Sequence, residues 1–264
     1  MSNIDAVNAL ITAINFDRFA EIEARHAPDA VFHSFRGPTL HNSVAIADWH
    51  REFLRDYADC NYTDLEYIDD GDVVVVRATI EAKAVDWRAF TQRVLEVFRV
   101  GEFGISERRM YGMIPDLQLD KAATAAMTNA LGFKGGSVEG TRRVAAELMA
   151  THDPETVGAL FDANAVYIDS VYGVAHGFEN IHALVEATPR PLFGRPRLTA
   201  SYHGEHSSVG EHSIDPGRPR YAEWVRIVDE HVAVIERYWM FREIGIDPFA
   251  HRRERHVKPV ILPT

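Results

Sequence analysis

The chain repeats itself at an offset of 135 residues, and that period constrains the fold more than any single motif. Asp29-Ala30-Val31 returns as Asn164-Ala165-Val166, His41 returns as His176, and Ala45-Ile46 returns as Asn180-Ile181. A second signal recurs 127 residues on, where Glu96-Val97-Phe98-Arg99 becomes Glu223-Trp224-Val225-Arg226. The later sheet region is therefore shorter than the earlier one. One unit of structure is written twice.

Residue periodicity gives the content of that unit. Ile4, Val7, Leu10, Ile11 and Ile14 recur at helical spacing, Asn15-Phe16-Asp17 breaks the run, and a second helix follows from Arg18. His26 to Asp29 reads as a turn, Ala30 to Ser34 as a short strand, and Phe35 to Pro38 as a loop. Ser43 is the expected N-cap of a helix to about Tyr57, with Val44, Ile46, Trp49, Phe53 and Leu54 as its apolar stripe. Four strands follow, at about Tyr62–Ile68, Val73–Ala82, Arg88–Val100 and Ile105–Met113. After an Ala-rich connector and Gly132 to Gly136, the order restarts. Helices are expected at Val138–Ala150, Pro154–Phe161 and Phe178–Glu186. Strands are expected at Ala165–Ser170, Arg197–His203, Glu205–Ile214, Arg220–Val228 and His231–Arg242. Breaks are expected at His152-Asp153-Pro154 and Asp215-Pro216-Gly217. The expected fold class is α+β: two tandem cone-shaped domains, each a curved, mostly antiparallel sheet wrapped around helices. The boundaries are 1–115, a linker at 116–136, 137–250, and a tail at 251–264.

Composition removes several functions. A net charge of −11 argues against a nucleic-acid partner, and the basic cluster His251 to Arg255 reads as a solvated tail. The single cysteine, Cys60, rules out an intrachain disulfide and a cysteine-based zinc site, which suits a cytoplasmic location. The start of the chain lacks the pattern of a signal peptide, and no apolar run is long enough for a membrane span. No nucleophile elbow, phosphate-binding glycine loop or dinucleotide fingerprint occurs, so no cofactor is expected. The histidines at 203, 206, 212 and 231 invite a metal reading. It is poor, because strand positions three apart point to opposite faces.

Strand alternation puts Glu96 with Val94 and Phe98, and Glu223 with Tyr221, Val225 and Ile227. A carboxylate among apolar neighbours loses hydration and tends to take up a proton. In that form it can donate to a developing oxyanion; the alternative is a carboxylate paired with arginine on a solvated face. Asp169 ends a strand beside Tyr167, Tyr172 and Phe178, where a carboxylate can act as a general base or cap the following turn. Arg99, Arg226 and the pairs Glu107-Arg108 and Glu236-Arg237 read as ion pairs on an outer or interdomain face. Tyr57, Tyr62, Trp87, Phe90, Tyr221, Trp224, Tyr238 and Trp239 read mainly as core and interface.

The order of elements resembles the nuclear transport factor 2-like superfamily. That group includes SnoaL-like polyketide cyclases, ketosteroid isomerases, scytalone dehydratase and limonene-epoxide hydrolase. Phe161-Asp162-Ala163-Asn164-Ala165-Val166-Tyr167-Ile168-Asp169 is similar to the isomerase strand ending in a general-base aspartate. Tyr221 to Ile227 is similar to its strand bearing the protonated oxyanion acid. The resemblance thus implies Asp169 as base and Glu223 as neutral acid. The family's helical tyrosine falls near Ala145, so that donor is missing. In the first copy the base position is Ser34, so His33 is the candidate base beside Glu96, unless that copy serves only as a structural partner. Tyr167, Tyr172, Tyr221, His203, His176 and His41 are the candidate substrate contacts. The expected activity is cofactor-independent lyase, isomerase or cyclase chemistry on a small hydrophobic, aromatic molecule. The alternatives are an epoxide hydrolase, for which no clear Asp–Arg–Asp set is visible, and a non-catalytic binding protein. The resemblance also implies an intrachain pseudodimer, with further homo-oligomer assembly as an option.

Overall fold

The computed structural model describes residues 2–84, 88–150, 154–187, 197–215 and 218–250. Trp87, the expected breaks at His152-Asp153 and Pro216-Gly217, and the tail from His251 lie outside them. The chain forms two compact units, one of residues up to Asp116 with Met240–Pro248, the other of Leu117–Trp239 with Phe249.

The first unit begins with α1 (Asn3–Asn15) and α2 (Phe19–Arg25). Ser2 and Asp5 close a reciprocal capping box that satisfies the first free N–H groups of α1. Strands β1 (His26–His33) and β2 (Thr39–His41) precede α3 (Ser43–Asp56). The N-cap of α3 is Asn42 rather than the expected Ser43. Asn42 has φ +75 and ψ 154, a backbone conformation otherwise used mainly by glycine, and its side chain accepts from the Ala45 N–H. The inward stripe of α3 is Ile46, Ala47, His50 and Leu54, whereas Val44 is exposed. Four strands follow: β3 (Tyr57–Asp70), β4 (Val73–Ala84), β5 (Ala89–Gly101) and β6 (Gly104–Gly112). The sheet runs β3-β4-β5-β6-β1-β2, antiparallel except where β1 lies parallel to β6. Helices α1 and α3 pack across its inner face.

The second unit opens with α4 (Lys121–Gly132), α5 (Val138–Ala150) and α6 (Pro154–Ala159). It continues with β7 (Phe161–Asp169), β8 (Gly173–His176) and α7 (Phe178–Ala187). The last strands are β9 (Arg197–His203), β10 (Ser207–Asp215), β11 (Arg218–Val228) and β12 (His231–Trp239). They run β9-β10-β11-β12-β7-β8, with β7 parallel to β12 and the other pairs antiparallel. This is the strand order of the first unit. Val144, Tyr167, Ile181, Val225, Val232 and Ile235 belong to its core.

Both parallel pairs carry the same irregularity. The register shifts between His26 and Val31 in β1, and between Phe161 and Val166 in β7. The segments expected as turns before these strands are bulges inside them, so each strand starts several residues earlier than expected. The three- and four-residue strands β2 and β8 are absent from the strands expected above, being too short to show alternation.

Two segments sit elsewhere than the sequence reading put them. Helix α4, read as part of a connector, belongs to the second unit. There Arg226, expected on an outer ion pair, is buried and donates to the carbonyls of Ala130 (3.1 Å), Leu131 (3.4 Å) and Phe133 (2.8 Å). A cation at the C-terminal end of a helix adds donors to its last carbonyls, of which that of Ala130 also accepts from the Phe133 N–H, and interacts favourably with the helix dipole. Conversely, Met240–Pro248, with α8 (Phe241–Ile244), is part of the first unit. Phe241 meets Phe35 edge-on, and Arg242 binds the Gly37 carbonyl and the Thr39 hydroxyl. Among the described residues, no helix is long and apolar enough to cross a membrane.

Replacing Arg226 with methionine keeps the apolar stem but removes every donor. Stability should fall by about 2–3 kcal/mol, measured by urea unfolding. An unchanged midpoint would mean that the grip on α4 contributes nothing.

Candidate active site

Asp169 ends β7 and is completely buried. One carboxylate oxygen accepts from the Val171 N–H (2.7 Å), the Tyr172 N–H (3.2 Å) and the Trp239 indole N–H (2.9 Å). The other accepts from the Tyr167 hydroxyl at 3.2 Å and lies 3.5 Å from Arg237. Asp169 thus caps the turn into β8, which Gly173 completes at φ +122. Burial raises its pKa, against the opposing pull of Arg237 and these donors.

Glu223 lies directly across the ladder from Arg237. One of its oxygens accepts from Nε and a terminal nitrogen of that guanidinium, at 2.9 and 2.6 Å. The other lies 3.6 Å from Nε2 of His212, which faces Tyr221 across the neighbouring ladder. Burial alone would raise the Glu223 pKa, but Arg237 and His212 outweigh it and hold the carboxyl below its ordinary value. His212 is shifted down, mainly by burial, with Glu223 opposing. Near pH 7 the trio is therefore a neutral imidazole, a carboxylate and a guanidinium. Aromatic rings surround it. Arg237 lies over Tyr221 (4.5 Å), Tyr167 (5.4 Å) and Trp239 (5.8 Å), and His212 stacks on Tyr221 at 4.5 Å. The side chains of His212, Glu223 and Arg237 are 15%, 22% and 16% exposed, whereas that of Asp169 is 0%. Of these four side chains the trio is partly exposed and Asp169 is sealed.

The first unit builds a closed counterpart. Glu96 accepts from the Tyr62 hydroxyl at 2.7 Å and pairs with Arg108. Arg108 also donates to Tyr62 (3.1 Å) and to Nε2 of His50 (2.7 Å), and its guanidinium lies 4.6 Å from the Phe32 ring. Both charged side chains are 1% exposed. The two arginines do not occupy equivalent positions. Met110 faces Glu96 where Arg237 faces Glu223, and Arg108 lies beside Phe32 where Ile235 lies beside Tyr167. The arginine has moved two residues along the last strand, one step on the same face.

Residues 7–105 match the profile of the SnoaL-like domain. No curated protein matches this chain. Similar solved structures include a protein with a ketosteroid isomerase-like fold from Catenulispora acidiphila, bound to trimethylamine. Its identity is 17% and its TM-score 0.39, over 40% of this chain and 83% of that one. An NTF2-like protein from Burkholderia pseudomallei is 22% identical with TM-score 0.40, over 42% and 92%. An LEH-like epoxide hydrolase of M. tuberculosis is 20% identical with TM-score 0.37, over 42% and 81%.

The expected roles meet this geometry unevenly. Asp169 is spent on the turn and on Trp239, so no oxygen of it is open to a substrate proton as a base requires. Glu223 is not the neutral acid the resemblance implied, because alternation along one strand does not reveal the arginine facing it on the next. In the first unit His33 and Glu96 are not brought together. Glu96 is on the inner face with Arg108, while His33 bonds the Thr39 hydroxyl (3.3 Å) and lies 3.9 Å from Glu107. Ser34, at the position equivalent to Asp169, is buried. Arg108 and Arg237, expected on an outer face, are inner; Glu107 pairs with Arg99 and Arg109 instead.

Of the expected substrate contacts, Tyr167, Tyr172 and Tyr221 surround Asp169 and Arg237. Tyr172 meets Trp239 edge-on at 5.6 Å. His203 bonds Ser208, His176 lies 3.3 Å from Asp120 at the N-cap of α4, and His41 is exposed at the end of β2. None of these three meets the trio. Sequence reasoning missed Arg237 and Trp239 as site residues, and His212 was singled out only within the histidine group. His50 and Arg108 were missed too. His50 had a readable signal, lying four residues from both Ile46 and Leu54 on the buried stripe of α3. Among the described residues, no three histidine, cysteine or acidic side chains are grouped to hold a metal ion.

Four histidines have their pKa lowered chiefly by burial: His33, His212, His50, whose pKa is pushed well down, and His26, pushed down to about 4. A histidine with a folded pKa below its unfolded value binds fewer protons when folded. Its cost is absent above the unfolded pKa and grows as pH falls towards the folded one. Between pH 7 and 4.5, His26 alone should remove about 2–3 kcal/mol of stability. Urea unfolding of wild type and His26→Leu at both pH values checks this. The variant should lose less stability on acidification, and an identical loss would refute the assignment.

Proposed function

We propose that the chain is a cofactor-independent acid–base enzyme acting on a small hydrophobic, aromatic molecule, with His212, Glu223 and Arg237 at the reacting atoms. One observation carries the reading: Glu223 is held between a neutral imidazole at 3.6 Å and a guanidinium at 2.6 Å, and all three are partly exposed within an aromatic wall. A neutral imidazole accepts a proton from a C–H or O–H group, and the adjacent carboxylate stabilises the imidazolium that forms. Arg237 is positioned to meet negative charge developing on a substrate oxygen. Tyr221, its hydroxyl kept protonated chiefly by burial, supplies a neutral donor next to the imidazole. If the imidazolium returns its proton to another carbon, the product is an isomer. If it gives the proton to a departing hydroxyl, water is lost and the reaction is a lyase step. The aromatic lining favours a flat, apolar substrate. In this reading Asp169 is a positioning residue for Arg237 and the 170–172 turn.

His212→Asn should lower kcat about 10²–10⁴-fold on a substrate found by screening, with unfolding unchanged. The screen is mass spectrometry in heavy water of unsaturated ketones and hydroxylated aromatic compounds. Gain of deuterium marks isomerisation and loss of water marks a lyase. Wild-type kcat/KM should decline as pH falls through the lowered pKa of His212, where the base becomes protonated. Full activity in His212→Asn would remove this residue from the mechanism.

A second reading rests on Arg237 bridging two carboxylates, Asp169 at 3.5 Å and Glu223 at 2.6 Å. Such a set suits opening of an epoxide: Glu223, held ionised by Arg237, activates water, and Tyr221, its hydroxyl kept protonated chiefly by burial, gives a proton to the ring oxygen as its C–O bond breaks. Incubating styrene oxide in ¹⁸O water separates the readings. Labelled diol that disappears in Glu223→Gln supports epoxide hydrolysis; unchanged epoxide, with deuterium exchange in the first screen, supports proton transfer at carbon.

A further inference from the structure

A glycine interrupts the strand that carries His212. Gly210 is in the interior of β10, directly across the ladders from Glu223 on β11 and from Ser201 on β9. Residues opposed in this way share a face, so Gly210 is on the face of Glu223, and His212, two residues on, is beside it. Glycine weakens a strand, because it loses more backbone freedom on folding and has no side chain to pack. The backbone does not require it here, since Gly210 lacks the positive φ that favours glycine.

What requires it is the ring of His212. A Cβ at position 210 would lie 3.3 Å from Nε2 and 3.9 Å from Cδ2 of that ring, and 3.0 Å from Cδ1 of Leu198. Leu198 is 40% exposed, so its flexible end can swing away. The imidazole has less freedom. It is stacked on Tyr221 at 4.5 Å with 16° between the rings, and its Nε2 is 3.6 Å from Glu223. The histidine leans back over bare backbone to bring Nε2 near the carboxylate. A longer side chain at 210 would extend from that Cβ over the same face, where Glu223 stands opposite.

We infer that Gly210 is a positioning residue for this site: by withholding a side chain it lets the His212 ring lie against β10 with Nε2 toward Glu223, and it keeps Nε2 open to an incoming molecule. The inference rests on the reading of His212 and Glu223 as the reacting pair. It accounts for a residue that lowers strand stability at the one position facing Glu223 on β10. Its test reads the position and access of the ring without a substrate, so it can fail independently of the catalytic reading.

Wild type, Gly210→Ala and Gly210→Val are compared as full chains. The ring nitrogens of ¹⁵N-histidine-labelled protein are followed by NMR across pH, and His212→Asn assigns the signals. Diethyl pyrocarbonate, which acylates a neutral imidazole nitrogen, reads access to His212 by peptide mass spectrometry, with the exposed His231 as reference. Moving the ring from Glu223 weakens the attraction that opposes burial, so the His212 titration should move to lower pH in Gly210→Val, and less far in Gly210→Ala. Acylation of His212 relative to His231 should fall about tenfold or more in Gly210→Val, since small misplacements of reacting atoms cost rates of this order. Urea unfolding should show equal or higher stability, because valine suits a strand better than glycine. An unchanged titration and unchanged acylation of His212 in folded Gly210→Val would overturn the proposal. So would a wild-type His212 that diethyl pyrocarbonate does not reach. If valine prevents folding, Gly210→Ala decides by the same two readings. Both shifts in Gly210→Val, together with full turnover in His212→Asn, would support the positioning and refute the catalysis it serves.

Discussion

A guanidinium on the inner face of a sheet must be compensated where it lies, and each unit is arranged around that requirement. Removing one member of a buried ion pair typically costs about 3–5 kcal/mol, more than most single contacts contribute. In the first unit, Arg108 is met by Glu96, Tyr62, His50 and the face of Phe32, and nothing of it reaches solvent. In the second, Arg237 is met by Glu223, Asp169 and three aromatic rings, and part of it stays exposed. The ionised state of Glu223 follows from where its arginine sits, and the neutral state of His50 from burial, reinforced by its arginine.

The shift of that arginine separates the two copies. Because strand side chains alternate, a displacement of two residues keeps it on the same face but changes its neighbour across the ladder. Opposite Glu223 it leaves the carboxylate available to His212. Diagonal to Glu96 it draws the carboxylate, a tyrosine and a helical histidine into one sealed group. Duplication thus yields one inner face with partly exposed charge and one whose ion pair is sealed.

Much of the architecture was legible in the sequence, because the offset of 135 residues and the apolar periodicities are properties of the chain itself. The carboxylates Glu96, Asp169 and Glu223 stood out for the same reason: each is an acid in an apolar strand. Their partners did not stand out. Whether Glu223 is protonated depends on Arg237, which is on another strand, and the pairing is fixed by register and by the bulge between Arg226 and Ile227. The pairs Glu107-Arg108 and Glu236-Arg237 look alike in sequence, yet they stand two positions apart on the ladder. The bulges in β1 and β7 were hidden by acidic and proline residues that mimic turns.

The segment after β12 has a consequence for how the chain is made. Phe241 and Arg242 complete the packing around Phe35, Gly37 and Thr39, although some two hundred residues separate them. During synthesis the first unit therefore emerges without its last piece, and Phe35 lacks its aromatic neighbour until almost the whole chain has left the ribosome. The second unit has all its strands by Trp239, before that closure can occur. The half of the protein that is made first must wait for nearly the whole chain before its own packing is complete.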